Sequence, residues 1–230
     1  MATKKSGVVK RLREAGITNR LMRRVTMKMQ LDELEGYVET VERAFKEQLE
    51  REENQPKETP LGLAEDEVDA FYHEHSNIYH SLNHAFPSLV RQTAFIHLYC
   101  ILEKGLIILC DCTHKYGGLH ESHTANRKDR GIFKAKACLK EVAGIRFPDQ
   151  CTEWVEICRM NELRNRYTHG GQTREIPKKL LAYAENNKKL IQIGMSKQII
   201  LKPGYCRHVI GVVRHFYEAV LTAMPDRLLE

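Results

Sequence analysis

The stretch that decides the fold is FIHLYCILEKGLIILC, Phe95 to Cys110. Its apolar residues point nearly all round a helix rather than along one stripe, and only His97, Glu103 and Lys104 interrupt them. A helix apolar on every side has to be surrounded by other elements, so this one predicts the centre of an all-α bundle. Pro87 suits a first helical turn, which places the helix from about residue 88 to residue 115. Gly117 and Gly118 then stop it.

Upstream, residues 65–84 read as a helix. NQPKETPLG, Asn54 to Gly62, is a proline-marked linker. Before it, residues 18–53 read as one long helix, with Leu34, Val38, Val41, Phe45 and Leu49 recurring at three- and four-residue steps. That stripe suits packing on the chain's own core, or a short coiled coil with a second chain. Downstream, Ile132, Ala135, Leu139 and Val142 mark a helix over 131–142. Asp149 is the expected N-cap of another over 150–168. A short helix follows Pro177 and runs to about Asn186. In LIQIGMSKQIIL two β-branched runs flank Gly194 to Lys197, which predicts a β-hairpin. Val209, Val212, Val213, Phe216 and Val220 give a last helix over 205–224. The expected architecture is a helical bundle with a small hairpin before the last helix and a long N-terminal helical extension. Residues 1–56 form the basic arm and extension, and 65–224 the bundle.

With 42% hydrophobic and 29% charged residues, the 230-residue chain has enough apolar content for one sizeable core. Ile96 to Cys112 is broken by charges, so no membrane span is expected. The N-terminus has no apolar core of a secretory signal, and the chain reads as cytoplasmic. Seven scattered cysteines, an odd count, do not form a disulfide framework, and most of them read as buried thiols. Residues 1–28 carry nine Lys/Arg against Glu14, a net +8, so the remainder of this +6 chain sums to −2. A basic arm of this kind suits phosphate backbone or an acidic partner, and equally a solvated terminal helix.

The chemistry-bearing stretch is ELRNRYTHGG, Glu162 to Gly171. Arginine offers a planar cationic fork for phosphate oxygens. Histidine moves protons near neutral pH. Cleaving RNA needs such groups: a base for the 2′-hydroxyl, an acid for the leaving 5′-oxygen, and a cation for the charge gathering on phosphorus. On a straight helix Arg164 and His169, five apart, diverge by about 140°. The double glycine is a helix stop that would let His169 swing. The other route is a meeting of Arg from one chain with His from a second across a two-fold axis. A helix C-terminus favours the imidazolium, which suits a general acid. A simple capping histidine with solvated arginines is the plain alternative.

RNRYTH resembles the Arg-x(4–6)-His motif of the HEPN superfamily, with Asn directly after the Arg. FIHLYCILEKGLIILC, GIFKAKACLKEVAGIRFPDQCTEWVEI and IILKPGYCRHVIGVVRHFYEAV follow in the order of prokaryotic HEPN proteins of defence and toxin loci, over residues 65–224. The resemblance implies a HEPN-like helical bundle, a homodimer with a composite cleft, and metal-independent endoribonuclease activity used as a toxin or in abortive infection. No cofactor is implied. By position, Arg164 and His169 are the catalytic pair and Asn165 a polar helper. Charge and position add Arg166 and Arg159 as RNA contacts, since seven residues apart they share a helix face. RNA is the expected partner, with an antitoxin or regulatory protein as a further one. Non-catalytic RNA-binding or scaffold modules of the same fold remain the alternative. Gly171 stands where relatives silenced by nucleotidylation carry Tyr, so control at that place is not implied.

Other clusters are weaker. Cys110-Asp111-Cys112-Thr113-His114 lacks the paired spacing of a zinc module. His73, His80 and His84 share a face that reads as partly buried and polar. His120 and His123 lie in a polar loop. Glu103 reads as a buried, hydrogen-bonded acid. No phosphate loop, nucleophile elbow or zincin motif is present.

Overall fold

The apolar run around Leu102 is the centre of the molecule. In the computed structural model, which describes residues 19–54, 65–117, 130–169, 175–225 and 229, Phe95, Leu102, Leu106 and Leu109 are fully enclosed. The elements are α1 (Asn19–Asn54), α2 (Glu65–His80), α3 (Phe86–Gly117), α4 (Ile132–Ala137), α5 (Thr152–Thr168), α6 (Lys178–Asn186), β1 (Ile191–Ile193), β2 (Ile199–Leu201) and α7 (Tyr205–Ala223). α3 lies among α1, α4, α5 and α7, and the chain is predominantly helical, as its periodicity predicts. The hairpin is antiparallel, with Ile191 opposite Leu201 and Ile193 opposite Ile199.

α1 belongs to this core. Met27, Leu31, Leu34 and Val38 are buried in one cluster with α3 and α7. The expected stripe is therefore right at Leu34 and Val38, but Val41, Phe45 and Leu49 are only half-buried, so enclosure stops partway along the helix. Gly105 permits the closest approach: a Cβ there would lie 2.5 Å from the Met27 methyl and 3.0 Å from the Tyr217 ring. Three helices meet at this one small residue.

Several boundaries differ from the sequence reading. Pro87 does not start a separate helix. α2 and α3 are continuous through a π-helical turn, Ser81–Ala85, in which the Phe86 amide bonds to the Ser81 carbonyl. Proline lacks an amide and crowds the carbonyl four residues earlier, and the wider turn relieves both faults without ending the rod. A second π-helical turn, Cys138–Val142, closes the segment after α4. Asp149 is not the cap of α5. Cys151 is, its sulfur accepting from the Trp154 amide at 3.4 Å. Asp149 instead receives Lys136 at 3.1 Å and Lys140 at 2.7 Å, and bonds to these lysines hold its carboxyl down at about 2. His73, His80 and His84 are exposed rather than partly buried.

By length and composition the continuous helix Glu67–His114 is apolar enough to cross a membrane, contrary to the sequence reading. Its most apolar window is 56% buried inside the fold, which is compatible with the core helix of a soluble protein.

Residues 1–18 of the basic arm lie outside the described residues. Two of the arm's later cations contact α7. Arg20 donates to the carbonyls of Leu221 and Met224 at the end of α7, and Arg24 pairs with Glu218. Further along the same seam Arg214 meets Asp32 at 2.8 Å and Glu35 at 3.1 Å, and Arg207 meets Glu39. These cations hold α1 to α7.

Candidate active site

The motif occupies the C-terminal end of α5. Trp154, Ile157, Met160 and Leu163 bury one side of this helix against the core, which orients its last turns. The helix is regular to Thr168. His169 is the C-cap, with φ −117° and ψ 28°, and its amide still bonds to the Asn165 carbonyl. The imidazole is exposed, and among the described residues no hydrogen bond or ion pair holds it. Gly170 and Gly171, expected to stop the helix, lie outside the described residues.

Arg164 is half-buried. Its Nη1 donates to the Asn165 side-chain oxygen at 3.0 Å, and its guanidinium carbon lies 5.5 Å from the centroid of the Tyr99 ring. That distance is within cation–π range. The Arg164 Nε is buried with no hydrogen-bond partner among the described residues. Asn165 and His169 are four apart and so share a helix face, whereas Arg164 starts about 100° away. The Asn165 side chain, on the His169 face, accepts from the Arg164 fork.

Sequence reasoning missed the floor of this site. Tyr99 of α3 donates its hydroxyl to the Asn161 side-chain oxygen at 2.7 Å while its ring backs Arg164. Burial, then the charge of Glu103, pushes the Tyr99 hydroxyl far above its ordinary value, so it stays a donor. A tyrosine inside an otherwise apolar helix was the available signal, because a buried hydroxyl needs a partner. Glu103 is half-buried and lies against Gly131, whose φ of +60° opens α4. It stands near Tyr99 and not at the His169 imidazole.

The two expected RNA contacts are placed differently. Arg166 is 7% exposed and donates to the carbonyls of Glu175 and Lys197, each at 3.3 Å. It ties α5 to the hairpin turn, so the reading of a phosphate-facing Arg166 is corrected: fold contacts occupy its fork. Arg159 is ion-paired with Glu162 one turn along. The pair does not form an open cationic face.

A groove of about 660 Å³ runs between α1 and α3, lined by Leu34, Tyr37, His97, Cys100, Ile101 and Lys104 among others. None of Arg164, Asn165 or His169 lines it. Of the Cys110–His114 cluster, Cys110, Cys112 and Thr113 are buried, and no group of three potential metal ligands occurs among the described residues. His120 and His123 lie outside the described residues. Compared with known proteins, the chain matches no family model, no curated protein and no solved structure.

Proposed function

We propose that the chain is a HEPN-type, metal-independent endoribonuclease acting in the cytoplasm as a toxin or antiviral effector. The observation that carries this reading is the pairing of a half-buried Arg164, positioned by Tyr99 and Asn165, with an exposed His169 at the same helix end. One group is fixed and cationic, and the other is accessible and titratable.

In this reading the RNA phosphate sits against the Arg164 fork, which neutralises the charge that builds as the 2′-oxygen attacks phosphorus. His169 transfers the proton, to the leaving 5′-oxygen or from the 2′-hydroxyl. The products are a 2′,3′-cyclic phosphate and a free 5′-hydroxyl. No metal enters, because protein groups supply the cation and the proton transfer. The motif stands on an open surface, so a second copy of the chain, apposed across a two-fold axis, completes the cleft and brings the second imidazole. An antitoxin or other regulatory protein would act by covering this helix end.

The test is cleavage of single-stranded RNA in EDTA by purified protein, with end-group analysis. Cyclic phosphate ends are expected, lost in both His169→Ala and Arg164→Ala. Cleavage undiminished in folded His169→Ala sinks the assignment. Growth arrest on expression in a bacterial host, relieved by the same substitutions, tests the toxin role. RNA binding without cleavage, unaffected by Arg164→Ala, would make the chain a binding module instead.

A further inference from the structure

Away from the α5 end, two cysteines meet in the core between α3 and the π-helical turn. Cys110 lies near the end of α3 and Cys138 opens the turn, and they are 7% and 4% exposed. One backbone oxygen joins them. The Ala135 carbonyl accepts the Cys138 amide and also the Cys110 thiol, the latter at 3.5 Å. Thr113 closes the arrangement from the other side. Its hydroxyl donates to the Cys110 carbonyl at 2.7 Å and lies 4.0 Å from the Cys138 sulfur. The half-buried His114 places Nε2 at 3.6 Å from the same sulfur. The Cys138 sulfur thus has a hydroxyl and an imidazole beside it, and the Cys110 thiol bonds to the carbonyl that its own amide uses. Ordinary buried cysteines act as small hydrophobes and need no such neighbours.

We propose that Cys138 and Cys110 form a peroxide-responsive dithiol, in which Cys138, flanked by Thr113 and His114, attacks and Cys110 resolves. The Cys138 thiolate sulfur bonds to one oxygen of hydrogen peroxide, and the O–O bond breaks. The departing hydroxide leaves as water after taking a proton from the His114 imidazolium. Cys138 is then a sulfenic acid. The Cys110 sulfur, its proton passing to the neutral imidazole, attacks the Cys138 sulfur; the S–S bond forms, the S–O bond breaks, and a second water leaves with that proton. Two thiols are oxidised to one disulfide, and one peroxide is reduced to two waters.

The electrostatics single out Cys138 as the attacking thiol. The Cys138 thiol is drawn below its ordinary value when the Cys110 proton turns from the Ala135 carbonyl to the Cys138 sulfur, with the His114 charge acting the same way and burial opposing both. The same pairing, burial and the nearby Asp111 push the Cys110 thiol far up. Attacking thiols are those held as thiolates. Enclosure limits the reagent to a small oxidant that enters during local opening of the turn. The product is a staple joining α3 to the segment that follows α4.

The test uses the full chain, treated with hydrogen peroxide, alkylated, digested and read by mass spectrometry beside circular dichroism. The expected result is a peptide linking Cys110 to Cys138 with two hydrogens lost. In Cys110→Ser the reaction stops at a Cys138 sulfenic acid that dimedone captures. In Cys138→Ser, Cys110 stays reduced. In His114→Asn, dimedone capture at Cys138 in the Cys110→Ser background slows by about tenfold. The exposed Cys100 is the internal comparison. If Cys100 oxidises while Cys110 and Cys138 both stay reduced in the folded wild-type chain, the proposal is overturned. A Cys138 sulfenic acid that persists with Cys110 intact overturns the resolving role.

Discussion

The seam between α1 and α7 and the C-terminal end of α5 use the same side chains in opposite ways. On the seam Arg24, Arg207 and Arg214 each meet a carboxylate, over a buried stripe of Met27, Leu31, Leu34 and Val38. At the end of α5, Arg164 has a neutral amide and an aromatic face as its partners among the described residues, and the His169 imidazole is exposed. Two residues on, Arg166 returns to the first pattern and is enclosed by carbonyls. Cationic charge alone therefore does not mark a phosphate site. What separates the two regions is whether a carboxylate or a backbone carbonyl already holds the fork.

The contrast can be broken most directly at His169. His169→Ala is expected to lower RNA cleavage roughly 10³-fold, measured by single-turnover kinetics, with the melting temperature unchanged. A loss of stability with cleavage intact would move His169 into the structural class. On the seam the order reverses. Leu31→Ala opens a cavity in a fully enclosed site and should cost about 2–5 kcal/mol in urea unfolding. Residual activity should follow the folded fraction. Arg166→Met sharpens the distinction within the motif itself. It leaves carbonyls without donors and should cost about 1–3 kcal/mol, while the salt dependence of RNA binding stays that of the wild type. A shallower salt slope would return Arg166 to the RNA surface.

Acid should act on the structural class. The folded Asp149 carboxyl lies at about 2, below its unfolded value of about 4. Its contribution is therefore present at neutral pH and is lost as the pH falls from about 4 toward about 2. Asp149→Asn should remove that part of the acid transition in a pH-dependent melting series. The smallest effect is expected at Arg214→Ala. A half-buried arginine bridging Asp32 and Glu35 at the solvent edge contributes about 1 kcal/mol, and added salt should narrow the difference from wild type.

Periodicity made the helices and the hairpin legible because burial of one face leaves its spacing in the chain. Leu34, Val38, Val209 and Phe216 fell where that spacing put them. Pro87 misled because a wide turn absorbs its missing amide, a remedy set by the surrounding packing and not by neighbours in sequence. Asp149 misled for a related reason: the lysines that claim it come from the preceding helical segment. The candidate site was readable only at Arg164, Asn165 and His169, which lie within six residues of one another. Tyr99 and Asn161 are 62 residues apart, and their hydrogen bond exists only once α3 and α5 pack. Arg166 and Arg164 differ by two positions and in sequence look alike. The helix rotation that sends one inward depends on which face Leu163 and Met160 bury.

The contact of Arg20 with the end of α7 spans 201 residues of chain. A ribosome makes α1 well before its partner α7. Met27, Leu31 and Leu34 must therefore wait exposed, or in provisional contacts, until α7 has emerged. Non-local pairing of this kind slows closure and leaves apolar surface open to other chains. Premature termination before Tyr205 would remove the surface on which α1 docks. The nascent chain is thus expected to engage chaperones through α1, and to release them when α7 arrives.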